Sequence, residues 1–274
     1  MTRGNWKAEL RVEEDFLHFE DNIAGTGTAT AIVWGTGYVS VGELGLVSVG
    51  EGSLAWTIDE PGGILAITTD VNDNENAFLV AGRFQPGNGV AVGNQGGGCW
   101  METRFKFNDV AAAGVAVYAG FTETLAFDTP VMPAEFATAT MTYNGTGGMM
   151  GALFDADATT LDFRALAGDA AAGAGGSGTT GVRANETMTA DEWYIVRVEI
   201  GPDGNGMVYV GHKGEALDLI AAANAIQGNS WTAVPITNTD QFYATLGVEN
   251  RSANAKVLEV DSFYARGWRD LRNN

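Results

Sequence analysis

Trp193-Tyr-Ile-Val-Arg-Val-Glu-Ile200, Met207-Val-Tyr-Val210 and Val257-Leu-Glu-Val-Asp-Ser-Phe-Tyr264 are the three stretches that decide the fold. Each places β-branched and aromatic residues in alternation with polar ones, the period of a strand with one wet and one dry face. Asp203-Gly-Asn-Gly206 separates the first two and has the residues of a tight hairpin turn. Upstream, Met101–Phe107 alternates along its whole length, with Met101, Thr103, Phe105 and Phe107 on one face and Glu102, Arg104 and Lys106 on the other. That is a half-buried antiparallel strand, and Gly114–Phe121 is expected to be its hairpin or sheet neighbour.

Short apolar pieces punctuated by glycine, Ala31–Trp34, Val39–Val41, Leu46–Val49, Leu54–Ile58, Ile64–Thr69 and Ala77–Val80, continue the strand-and-turn pattern toward the N-terminus. Ala139–Tyr143, Gly148–Phe154 and Thr160–Leu166 add strands in the middle. Glu215–Ala225 alone has helical spelling and is expected to form a short helix over a loop. Gly168–Gly181 is an Ala/Gly tract too poor in side chains to build a core, and reads as a surface loop. Residues 1–20 carry charges and Trp6, Phe16 and Phe19 without a full strand pattern. They read as an N-terminal arm, which either packs on its own sandwich or reaches a neighbouring subunit. The organisation expected is therefore an arm over 1–20 and a single all-β sandwich over 21–274.

A hydrophobic fraction of 45% in 274 residues is ample for one core, and 38 Gly against 6 Pro indicates many turns within a folded chain. With 34 acidic and 15 basic residues the formal charge is -19, which repels phosphate backbones and anionic membranes and argues against both as partners. Cys99 is the single cysteine, so an internal disulfide and a Cys-based zinc site are excluded, and a small buried hydrophobe is expected. Glu13-Glu-Asp15 stands where a secretory signal would have its apolar region, so synthesis in a cytoplasm is expected.

Asp70-Val-Asn-Asp-Asn-Glu-Asn76 is the best metal candidate: Asp70, Asn72 and Asn74 offer hard oxygens at alternate positions, as Ca²⁺ prefers, although Glu75 replaces the glycine of an EF-hand loop. Asp155-Ala-Asp157 is a weaker one. His18 and His212, the two histidines, lie in no triad context. Trp34, Trp56 and Trp193 read as core, Trp100 opens a strand, and Trp6, Trp231 and Trp268 fall in loops or tails. A local basic spot, Arg266 to Arg272 with Arg251, either docks on an acidic neighbour or offsets the chain's own acidity. Trp6, Phe16, Phe19, Trp268 and Arg269 are the expected partner contacts.

The order of these strands, with the closing Glu259-Val-Asp-Ser-Phe-Tyr264 strand ahead of a basic tail, resembles the concanavalin A-like (laminin G-like) jelly roll over roughly residues 20–268. That fold is used by lectins, glycosidases and many bacteriophage virion proteins, and such domains often hold Ca²⁺ through loop carboxylates and carbonyls. Glu259 and Asp261 are two apart and share a strand face. In family-16-like glycosidases a second Glu follows at the next same-face position or one beyond, where this chain has Phe263 and Tyr264. The resemblance therefore implies a non-enzymatic role, that of a capsid decoration (cement) protein on the head exterior of a tailed bacteriophage. Its partners would be the major capsid protein and further copies of itself in a dimer or trimer, with the arm and one sandwich edge touching the shell. The alternatives are a carbohydrate-binding module, whose partner is a glycan, and a glycosidase with a third carboxylate near Glu249.

Overall fold

Period-two alternation builds the first of two sheets. In the computed structural model, residues 7–14, 32–34, 37–41, 44–48, 52–57, 64–84, 98–111, 114–123, 125, 130–144, 147–169, 182–184, 187–201, 206–212, 218–222 and 242–270 are described. Among them the strands are β1 (Lys7–Glu14), β2 (Ile32–Trp34), β3 (Gly37–Val41), β4 (Leu44–Ser48), β5 (Gly52–Thr57), β6 (Ile64–Thr68) and β7 (Asn76–Phe84). Next come β8 (Cys99–Phe107), β9 (Val115–Thr122), β10 (Ala134–Ala137), β11 (Thr140–Tyr143), β12 (Gly148–Asp155) and β13 (Arg164–Asp169). The last are β14 (Val182–Arg183), β15 (Tyr194–Ile200), β16 (Gly206–His212), β17 (Asp218–Ala222), β18 (Phe242–Asn250) and β19 (Val257–Asp270).

One sheet has nine strands, β17-β16-β15-β8-β19-β6-β5-β2 with β1 also on β19, and the other eight, β14-β13-β12-β9-β18-β7-β4-β3. β8 and β15 bury every second residue and leave the others half-buried, so the nine-stranded sheet has a dry inner and a wet outer face. β9, β12 and β18 are buried at every position. Their inner face packs on the nine-stranded sheet, and their outer face is covered by the β10–β11 hairpin and the residues before it.

Two apolar layers result. Between the sheets, Phe105, Phe107, Phe154, Phe163 and Tyr194 interlock, with Phe107 and Phe154 centred 4.9 Å apart and Phe163 edge-on to Phe105 and Tyr194. Outside the eight-stranded sheet, Phe78, Tyr118, Met149, Leu153 and Tyr243 lie under Met132, Phe136 and Met141. Cys99 is buried, as expected, and burial pushes its thiol pKa up.

Several expectations are corrected. Within the arm expected over 1–20, where no full strand pattern was read, Lys7–Glu14 forms strand β1 on the chain's own sandwich, antiparallel to the C-terminal half of β19, with Glu14 opposite Phe263 and Lys7 opposite Asp270. The segment read as helical contains β17, an edge strand paired with β16, because sheet pairing outweighs the helix propensity of Ala and Leu. β8 and β9 are not neighbours: the chain between them crosses from one sheet to the other, and β9 pairs with β12 and β18. Strand pairing in the middle starts at Arg164 rather than Thr160, and Arg266–Asp270 is the end of β19 rather than a tail.

Gly247 faces Phe78 across the β18–β7 pair, and a Cβ there would stand 2.1 Å from a ring carbon. The bare backbone is what lets the ring lie against the sheet. Gly247→Ala is expected to cost roughly 1–3 kcal/mol of stability through overpacking, read as a lower urea midpoint with an unchanged slope.

Candidate functional site

The outer face of the nine-stranded sheet carries the densest array of partly exposed functional groups among the described residues. β8 contributes Trp100, Glu102, Arg104 and Lys106, because Cys99, Met101, Thr103, Phe105 and Phe107 take the inner positions. The same phase on β15 sends Ile195, Arg197 and Glu199 outward, with Trp193 just before the strand. On β19 a bulge between Val260 and Ser262 leaves Asp261 and Ser262 both partly exposed opposite Arg104, then restores Phe263 to the core.

These side chains pair with one another. Arg104 meets Asp261 at 2.6 Å, Lys106 meets Glu259 at 2.5 Å, and Arg197 lies 2.7 Å from Glu199 and 3.7 Å from Glu102. The Trp193 ring lies over Arg104 and Lys106, 4.5 and 5.0 Å from its centroid, and Trp100 lies over Arg197 at 5.1 Å. At one end a shallow recess of about 200 Å³ is lined by Lys106, Phe107, Asn108, Asp191, Val257 and Glu259. The face is otherwise a flat ladder of cations, carboxylates and indoles.

A second, buried cluster sits where the eight-stranded sheet meets the loop over 70–76. Arg251 is 2.5 Å from Glu249, 2.8 Å from Asp155 and 3.3 Å from Glu135. Asn76 donates to Glu249 at 3.1 Å, and Asp155 also accepts from the Phe136 amide at 2.7 Å. One guanidinium thus joins β12, β18 and the covering hairpin. Burial, reinforced by Glu135 and Asp155 and opposed by Arg251 and Asn76, pushes the Glu249 carboxyl up to about 7. Burial also raises Asp155 against the pull of Arg251.

The calcium candidates lie beside this cluster, and the structure shows them hydrogen-bonded within their own turn. Asp70 accepts from the Val71 amide at 2.6 Å and from Asn72 Nδ2 at 3.1 Å. Asn72 turns its amide nitrogen toward both Asp70 and Glu75, and Asn74 presents its oxygen to Arg251 at 3.5 Å. The Asn74 amide and the Asn250 side chain close the turn onto the Asn250 and Asp70 carbonyls. No group of three His, Cys, Asp or Glu side chains that could hold a metal occurs among the described residues.

Of the expected partner contacts, Trp6, Phe16 and Phe19 lie outside the described residues, while Trp268 and Arg269 sit in β19 opposite Glu9 and Ala8. Trp193, expected in the core, is on the outer face; its phase against the inward Tyr194, Val196 and Val198 was the available signal. His212 stacks on Tyr194 at 5.0 Å and neighbours Glu192. Glu249 lies on the opposite sheet from Glu259 and Asp261, so the carboxylates do not share a cleft.

Solved structures with this arrangement include a protein of unknown function from Shewanella oneidensis MR-1, at TM-score 0.54 and 13% identity over 100% of this chain and 92% of that one. Lectin UEA-II in complex with galactose matches at TM-score 0.51 and 9% identity, covering 87% of this chain and 98% of that one. The fold is the concanavalin A-like jelly roll. The Lotus tetragonolobus seed lectin is also similar, at TM-score 0.48 and 9% identity over 87% and 97%. No protein-family model and no curated protein matches the sequence.

Because Glu249 binds its proton more tightly in the folded chain than its ordinary value of 4.5 allows, folding takes up a proton between that value and about 7. Its contribution favours the folded state at the acid end and is lost as pH rises. Glu249→Gln is expected to remove a downward slope of at most about 1.4 kcal/mol per pH unit between about pH 4.5 and 7. Urea titrations of both proteins across that window measure it.

Proposed function

We propose that this chain is a non-enzymatic binding protein of a virion, a decoration protein that sits on the head shell of a tailed bacteriophage and braces it. The observation that carries the non-enzymatic half is the state of Glu259 and Asp261, the carboxylate pair with the spacing for glycoside hydrolysis. Each is neutralised by a cation of β8 on an open sheet face, whereas a general acid needs a carboxyl held protonated near its substrate. A flat face set with indoles and arginines instead has the composition of protein interfaces. Strong acidity favours the solubility that a protein made in many copies needs. The virion assignment rests on the resemblance of the strand order and closing strand to those of bacteriophage virion jelly rolls.

A second reading, carbohydrate binding, is favoured by the recess beside Lys106, whose ammonium touches the Trp193 ring. At about 200 Å³ it is smaller than the roughly 300–1,000 Å³ of drug-sized pockets and suits a single sugar ring.

Quantitative mass spectrometry of purified virus particles from the source decides between them. Near-stoichiometric abundance relative to the major capsid protein is the result expected. Absence from particles, together with glycan-array binding that Trp193→Ala abolishes, would transfer the case to the second reading.

A further inference from the structure

We infer that the outer face of the nine-stranded sheet is a self-complementary interface, on which a second copy of this chain docks about a two-fold axis crossing the strands. Cross-strand pairing sorts the face into rows. The first holds Trp193, Lys106 and Glu259; the second Gly211, Ile195, Arg104 and Asp261 with Ser262. Tyr209, Arg197, Glu102 and Tyr264 make the third, and Met207, Glu199, Trp100 and Arg266 the fourth. Two identical faces can meet about an axis along the strands or across them. An axis along β8 would set Lys106 on Lys106, Arg104 on Arg104 and Glu102 on Glu102, a stack of like charges that opposes docking, and one between β8 and β19 would only repeat the Lys106–Glu259 and Arg104–Asp261 contacts that each copy already makes within itself.

An axis across the strands, between the second and third rows, inverts the order of rows instead. Arg104 then faces the second copy's Glu102, and Glu259 faces its Arg266. Lys106 faces the Trp100 ring, Asp261 faces the Tyr264 hydroxyl, and the bulk of Tyr209 falls over Gly211. Each contact occurs twice, as an isologous pair requires. The sheets can adopt the crossing of about 30° usual for aligned packing.

Charge selects this face over the rest of the surface. The chain carries -19 overall, so most approaches of two copies are repulsive. Here Arg104, Lys106, Arg197 and Arg266 balance Glu102, Glu199, Glu259 and Asp261. The internal ion pairs leave their side chains between about a fifth and two-fifths exposed, with surface still to bury. Four strands at ~4.8 Å spacing and eight residues at ~3.4 Å span about 500 Å² in projection per copy, or about 1,000 Å² for the pair. That reaches the lower bound of a specific interface, about 1,000 Å², and fits a dimer that dissociates on dilution.

Sedimentation equilibrium of the full chain and of two charge reversals, Glu259→Arg and Arg266→Glu, tests the interface. The wild type is expected to be a concentration-dependent dimer. Each variant alone sets like charges opposite one another twice and is expected to dimerise at least about tenfold more weakly. Mixing the two variants restores both opposite-charge contacts in one heterodimer, which should recover the wild-type affinity and also shows that both chains are folded. A wild type that stays monomeric, variants that dimerise as well as the wild type, or a mixture no tighter than its components would each overturn the proposal. The outcome is independent of whether the chain is found on virus particles.

Discussion

Everything in this sandwich is hung on β19. This 14-residue strand pairs along nearly its whole length with β8, and its other edge is shared in succession by β6 over Val257–Val260 and β1 over Phe263–Asp270. The first and last described strands of the chain are thereby closed against each other, and the bulge after Val260 sets the phase of the strand's C-terminal half. Paired without that bulge, the same residues would turn Phe263 and Ala265 out of the core and bring Ser262 and Tyr264 in. The wet face of the nine-stranded sheet exists because that phase holds on β8, β15 and β19 together.

The two faces of the molecule solve different problems. The eight-stranded sheet has an apolar outer face and needs a cover, which the β10–β11 hairpin supplies and the Arg251 cluster fastens through Glu135, Asp155 and Glu249. Removing one member would strand charges that have already been desolvated. The nine-stranded sheet needs no cover, because its outer residues satisfy one another through ion pairs and cation–indole contacts. Among the described residues it is consequently the face proposed here as an interface.

Most strands were legible from period two alone, as in Met101–Phe107 and Tyr194–Ile200. β1 went unread: Ala8, Leu10 and Val12 do alternate with Lys7, Glu9, Arg11 and Glu13, but the high charge gives the segment the look of a solvated arm. β17 was not, since Ala and Leu favour helix until an edge partner is supplied. Nor was the separation of β8 from β9, because a short connection looks the same whether it turns within a sheet or crosses between two. The Arg251 cluster draws on four segments far apart in sequence, Glu135, Asp155, Glu249 with Arg251, and the 70–76 loop, and no local pattern encodes that meeting. The Asp-x-Asn-x-Asn spelling gave no hint that Asn74 would present its oxygen to the Arg251 guanidinium.

The proposed binding role depends on the nine-stranded sheet turning an open face of tryptophan and charge to solvent. Hydroxyl-radical footprinting of the dilute chain, read residue by residue by mass spectrometry, addresses that directly. Ready oxidation of Trp100, Trp193 and Tyr209 is expected, with Tyr118 and Tyr194 inert inside the sandwich. A Trp193 as inert as Tyr194 would place it in the core and contradict the open face.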